Sequence, residues 1–219
     1  MIYLGLALYA EGPTDYRFLC PLLQRVSEEL ALEARTQVDV SQVLPLDAPV
    51  KYRSRAREER ITVAAALAAP QWRVLFIHAD GAGDPDRMRA EQVEPALASL
   101  DTSGAIRAGC AVIPVRETEA WALCDPEAYR ASVAKDLVRR LHGRRGARRV
   151  EAEEDPKARL HEILNAGSKP SARKGKTARD VTLADLGDRV SLERLRELPS
   201  FRRFEGEFRE TLTRIGVLR

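Results

Sequence analysis

Four apolar runs, the first three each followed by a segment of helical periodicity, occupy residues 2–115 and constrain the fold more than any other feature. Ile2 to Ala10 is continuously apolar, the pattern of a strand covered on both faces. Gly12 and Pro13 end it, and Thr14 offers a hydroxyl to cap a helix. Phe18, Leu19, Leu22, Leu23, Val26 and Leu30 then recur at helical spacing, which predicts an amphipathic helix over 14–34. "TQVDVSQVLPL" (36–46) alternates like a second strand, and 54–69 return to helical character with an Ala-rich end stopped by Pro70. Val74 to His78 predict the third strand, 85–100 a third helix with Pro95 as a kink, and "AGCAVIPV" (108–115) the fourth strand. Strand alternating with helix in this way predicts an α/β fold, a mostly parallel four-stranded sheet with helices on both faces.

Beyond residue 125 the strand signal stops. Helices are expected at 126–142, 155–165, 191–198 and 200–214, separated by two basic connectors. "RRLHGRRGARR" (139–149) carries six arginines, and "SKPSARKGKTAR" (168–179) five basic residues. The expected division is an α/β core over 1–125 and a basic helical C-terminal region over 126–219 that packs on it. Cys20, Cys110 and Cys124 lie far apart with no paired spacing, which predicts reduced thiols, no zinc site and a cytoplasmic protein. The apolar N-terminus lacks a basic leader and is too short to span a bilayer, so no membrane association is expected.

Acidic residues gather where the strands end. Glu11 follows the first strand, Asp80, Asp84 and Asp86 the third, and Glu117 and Glu119 the fourth. In an open parallel sheet, ligands bind just beyond the carboxyl ends of the strands. Clustered carboxylates repel one another and a hard divalent cation relieves the repulsion. Oxygen donors suit Mg²⁺ or Mn²⁺, ions that serve phosphoryl chemistry. Each acid also has a local explanation: Glu11 as a helix N-terminal charge, Asp84 and Asp86 as caps, Glu117 and Glu119 as first-turn acids. His78 reads as a strand-end residue making a local hydrogen bond. Convergence on one edge of the sheet favours the metal.

"YAEGPTDYRFL", "HADGAGD" and "IPVRETEAWALCD", in that order, resemble the TOPRIM domain shared by topoisomerases, bacterial primases and overcoming-lysogenization-defect (OLD) nucleases. The chain looks closer still to a bacterial TOPRIM-like family of unknown function, frequently encoded beside ATPases and suspected in phage defence. "EDPKARLHEIL" (154–164) and "SFRRFEGEF" (200–208) are similar to that family's C-terminal motifs. The resemblance implies a TOPRIM/Rossmann-like fold and a metal-dependent nuclease. Glu11 matches the TOPRIM glutamate, Asp80 the first aspartate of the DxD motif, and Glu117 and Glu119 an acidic ExEAW element. Position 82, where the second aspartate belongs, holds Ala82, with Asp84 as a substitute through the glycine-bearing turn. Glu11, Asp80 and Glu119 are thus the expected catalytic residues, and Asp84 and Glu117 further metal ligands.

A net charge of only +3 does not by itself mark a nucleic-acid binder, but its distribution does. Arg144, Arg145, Arg148, Arg149, Lys157, Lys169, Arg173, Lys174 and Lys176 are the expected contacts to a nucleic-acid backbone, DNA above all. Such runs are also common on solvated, partner-binding faces. With two tryptophans and five tyrosines, stacking platforms for single strands are not expected. The expected function is metal-dependent phosphodiester hydrolysis with an ATPase partner. The rivals are a non-catalytic TOPRIM-like subunit, favoured by Ala82, and a small-molecule phosphohydrolase. The absence of a DxDx[TV] motif and of a Walker loop weakens the last.

Overall fold

Strand β1 (Ile2–Tyr9) sits inside an all-parallel sheet of order β2–β1–β3–β4, completed by β2 (Val38–Leu46), β3 (Val74–His78) and β4 (Ala108–Val112). The computed structural model describes residues 1–100, 107–131, 147–167 and 178–219. Leu6 to Tyr9 pair with Val74 to Ile77, and Val74 to His78 with Ala108 to Val112. The register of β1 against β2 shifts between Leu4 and Leu6, where the Ser41 hydroxyl accepts the Leu6 N–H at 2.9 Å. After β1 the chain goes to one side of the sheet for β2, then returns to the other for β3. The topological switch point, and the crevice that goes with it, therefore lies between the carboxyl ends of β1 and β3.

The period-two alternation of strands sorts the core into two layers. Leu4, Leu6, Leu8, Phe76, Cys110 and Val112 face α1 (Pro13–Ala31) and the C-terminal helices. Ala7, Tyr9, Leu75, Ile77 and Ala111 face the other layer, built by α2 (Arg57–Leu67) and α4 (Glu94–Ser99), with α3 (Pro85–Gln92) contributing no buried residue. The C-terminal half contributes α5 (Glu119–Ala122), α6 (Pro156–Gly167), α7 (Ala178–Arg189), α8 (Leu192–Leu195) and α9 (Pro199–Arg214). Helix α9 lays Phe201, Phe204 and Phe208 into the first layer. The Phe208 ring meets Phe76 edge-on at 4.9 Å between centroids, and Phe201 meets Trp121 at 5.2 Å. The C-terminal region thus completes the core of the sheet.

Several expectations are corrected in detail. Helix α1 starts at Pro13 with Gly12 as its cap, not at Thr14. Proline suits the first helical position, where its missing N–H costs nothing, and the Asp15 carboxylate accepts the Gly12 N–H at 2.9 Å. Residues 85–100 form two helices, broken at Val93 two residues before Pro95. β4 ends at Val112, earlier than the apolar run. Of the helix expected at 126–142, Pro126–Ala131 forms a 3₁₀ segment and the remainder lies outside the described residues. Helix α7 was not expected at all; its Leu183 and Leu186 are buried in the first layer. Among the described residues no helix is long and apolar enough to cross a membrane.

Candidate metal centre

Three elements deliver one donor group each to the switch-point end of the sheet. Asp15 comes from the first turn of α1, His78 from the last residue of β3, and Asp80 from the loop after it. Their donor atoms all lie within 4.8 Å of one another. The His78 ring is fully buried, with Nδ1 at 3.0 Å from the Val112 carbonyl oxygen and Nε2 at 3.1 Å from the Thr118 hydroxyl. That hydroxyl donates to Asp15 Oδ1 at 3.2 Å. Nε2 also stands 3.6 Å from Asp15 Oδ1 and 3.5 Å from Asp80 Oδ1.

This proton inventory describes an imidazolium. Burial alone would lower the His78 pKa, but the Asp15 and Asp80 carboxylates outweigh it and raise it to about 10. Burial would likewise raise the Asp15 carboxyl. His78 opposes it most strongly, the Gly12 N–H and the Thr118 hydroxyl add to it, and the pKa is held below the ordinary value. Asp80 Oδ1 is sealed from solvent and accepts no hydrogen bond. An orphaned carboxylate oxygen beside a histidine nitrogen and a second carboxylate is a donor set that fits a divalent cation. Around an ion with bonds of roughly 2.1 Å, ligands stand about 3–4 Å apart. In that state Nδ1–H would keep its bond to Val112 and Nε2 would turn its lone pair to the metal, the usual way a protein orients a ligating imidazole.

Of the residues expected from the sequence, Asp80 belongs to this trio. Glu119 stands close by: burial pushes its carboxyl above the ordinary value, the charges of Glu117 and Asp15 add to the effect, and Lys157 opposes it. Glu117 Oε2 accepts the backbone N–H of Lys157 at 3.2 Å, which ties the loop after β4 to the start of α6. Glu11 is not among the three; it extends from β1 toward Arg57, with Oε1 at 3.9 Å from Nη1. Asp84 is also outside the trio. It caps α3, accepting the Arg87 N–H at 3.1 Å, and its side chain is 58% exposed. Asp86 pairs with Arg203.

The turn between Asp80 and Asp84 is not the flexible link its glycines suggest. Ala82 N–H donates to the Arg116 carbonyl at 3.1 Å and Gly83 N–H to the Val115 carbonyl at 2.8 Å, zipping the turn to the loop after β4. Ala82 is held at φ +48°, in the left-handed region, and offers no ligand. Asp15 and His78 are the members of the trio not expected from the sequence as metal ligands, His78 having been read as a strand-end residue with a local hydrogen bond. "EGPTD" carried the signal for Asp15, whose place in the first turn of α1 puts it at the crevice. Arg57 was passed over as well.

Of the expected nucleic-acid contacts, only Lys157 has a described side chain. Arg148 and Arg149 lie on the 3₁₀ segment Ala147–Ala152, while Arg144, Arg145, Lys169, Arg173, Lys174 and Lys176 lie outside the described residues. A cavity of about 170 Å³ beside β4, walled by Ile113, Pro199 and Phe204 with Arg89, Arg203 and Glu207 also lining it, contains no member of the trio.

Comparison with curated proteins and with solved structures finds no match. One family model matches residues 10–209, taking in the trio, Glu119 and the C-terminal helices. By that match the chain belongs to the family described as Domain of unknown function (DUF4276).

Proposed function

We propose that the protein is a divalent-metal-dependent phosphodiesterase of the TOPRIM type that cuts nucleic acid, DNA above all. In this reading it works in the cytoplasm beside an ATPase partner in phage defence. The observation that carries the proposal is the convergence at the switch point of Asp15, His78 and Asp80, whose buried Oδ1 accepts no hydrogen bond. Mn²⁺ or Mg²⁺ bound there would polarise a phosphate and lower the pKa of an attacking water. The imidazole tips the preference from Mg²⁺ toward a transition-metal ion such as Mn²⁺, which accepts a ring nitrogen in a mixed N/O donor set more readily. His78 and Asp15 hold the ion, Asp80 closes the set, and Glu119, with its raised pKa, is suited to move a proton at the reacting oxygen. Lys157 brings positive charge to the Glu119 side of the crevice.

The test is calorimetric titration of wild type and Asp80→Ala with Mn²⁺ and Mg²⁺, with supercoiled-plasmid nicking assayed on the same samples. Wild type is expected to bind Mn²⁺ more tightly than Mg²⁺ and to nick the plasmid. Asp80→Ala is expected to lose about 100-fold or more in Mn²⁺ affinity, together with nicking. A wild type that binds neither ion sinks the proposal. A second reading, a TOPRIM-like subunit that binds its partner or nucleic acid without cutting, is favoured by position 82, where the turn presents a methyl group instead of a carboxylate. Mn²⁺ binding without nicking of any nucleic acid would select it.

A further inference from the structure

Arg57, the first residue of α2, reaches across the carboxyl ends of β1 and β3 and is fixed on three sides. Its Nη2 donates to the carbonyl oxygen of His78, the residue whose ring belongs to the trio. Its Nε donates to the Gln92 carbonyl at 3.3 Å, where α3 ends. The guanidinium carbon lies 5.6 Å from the centre of the Tyr9 ring, a cation–π contact made by the last residue of β1. The side chain is 15% exposed. On the fourth side is Nη1, which makes no hydrogen bond and is not sealed from solvent. Its nearest carboxylate is Glu11 Oε1 at 3.9 Å, too far for a hydrogen bond.

A planar cation held at three points, with Nη1 unbonded and open to solvent at the carboxyl end of β3, is preorganised for an oxyanion. Little rotamer entropy remains to be lost when the ligand arrives. We propose that Arg57 receives a phosphate group of the substrate at this site, with Glu11 as its resting counter-ion; the identity of the ligand rests on the phosphodiesterase reading above. A phosphate oxygen that takes the Nη1 donors at hydrogen-bond distance replaces a long ion pair with charge-assisted hydrogen bonds. The same exchange releases Glu11, two residues past the end of β1, from Arg57. Arg57 also holds the His78 carbonyl, so an anion on Arg57 and a cation on the trio meet at one end of the sheet, and each is expected to tighten the other.

The experiment is calorimetric titration of the full chain with inorganic phosphate, with and without saturating Mn²⁺. Wild type, Arg57→Gln and Arg57→Lys are compared, and the Mn²⁺ affinity of each is measured separately. Wild type is expected to bind phosphate, and more tightly with Mn²⁺ present. Arg57→Gln is expected to weaken phosphate at least about tenfold both with and without Mn²⁺, with Mn²⁺ affinity in the absence of phosphate unchanged or tighter. Arg57→Lys, which keeps the charge but not the fork, falls between them. Equal phosphate affinity in wild type and Arg57→Gln overturns the inference, as does a wild type that binds no phosphate. Where Arg57→Gln does not fold, Arg57→Lys decides: a loss of about fivefold supports the inference and no loss overturns it. The two proposals fail separately. Phosphate binding through Arg57 in a protein that takes up no Mn²⁺ keeps this inference and removes the metal reading, and Mn²⁺ binding with a phosphate affinity indifferent to Arg57 does the reverse.

Discussion

His78 is charged in the folded protein only because two carboxylates hold its proton, and this makes it the residue through which pH acts on stability. Its folded pKa of about 10 lies above the unfolded value near 6.5, so the folded state keeps a proton that the unfolded state gives up. The stabilisation is complete below about 6.5 and is lost as pH rises through about 10, with a slope of at most about 1.4 kcal/mol per pH unit. Urea denaturation at pH 6, 8 and 10 is expected to show this decline in wild type and a much flatter profile in His78→Gln. Equal slopes would remove the charged imidazole from the account. Gly81 acts on the same centre through shape. A Cβ there would collide with the Pro114 and Val115 carbonyl oxygens, the strip to which the turn is zipped. Gly81→Ala is expected to cost about 1–3 kcal/mol and to weaken Mn²⁺ binding by displacing Asp80, readable in one melting curve and one titration.

At the scale of elements, α7 meets α1 backbone to backbone. A Cβ on Gly187 would strike the Phe18 carbonyl oxygen and Pro21, and Arg25 Nη1 donates to the Gly187 and Val190 carbonyls at 2.9 and 3.0 Å, closing the end of α7. Gly187→Ala gains helix propensity of about 1 kcal/mol and is still expected to destabilise by about 1–3 kcal/mol, because neither backbone can withdraw. Chemical denaturation measures the sign directly. The elements also show what could be read beforehand. β1, β3 and β4 were legible because a doubly covered parallel strand writes itself as an apolar run, and the edge strand β2 was legible from its alternation. The long helix α1 was legible from its periodicity. Helix α7 was not, because its apolar positions Leu183 and Leu186 are few and the contact that defines it is made by a glycine. The same holds at the site. Asp80 could be placed from the strand before it, whereas Asp15 and Glu119 are neighbours only in the fold, where Thr118 next to Glu119 bonds Asp15, and the pairing of Glu11 with Arg57 depends on where α2 begins. Sequence spacing carries the first kind of information and not the second.

For the molecule as a whole, the boundary near residue 125 divides the chemistry of the sequence more than the physics of the fold. Phe201, Phe204, Phe208 and Leu212 fill the same layer as Leu6, Phe76 and Val112, so a fragment ending at residue 125 would expose that face of the sheet. Such a fragment is expected to lack a cooperative transition, and Phe208→Ala in the full chain to cost about 3–5 kcal/mol, both readable by circular dichroism during denaturation. A fragment that folds cooperatively would make the C-terminal helices an independent addition.

The placement of the two tryptophans has a practical outcome. Trp72 lies in the layer with α2, its indole N–H donating to the Ala65 carbonyl at 2.9 Å. Trp121 lies across the sheet, with its N–H on the Ser200 hydroxyl at 2.8 Å, two positions after Glu119. Each layer therefore carries its own intrinsic fluorophore. With Trp72 replaced by Phe, the remaining emission comes from the indole beside the acidic crevice, and the arrival of an ion or a phosphate there can be followed by light, without a label.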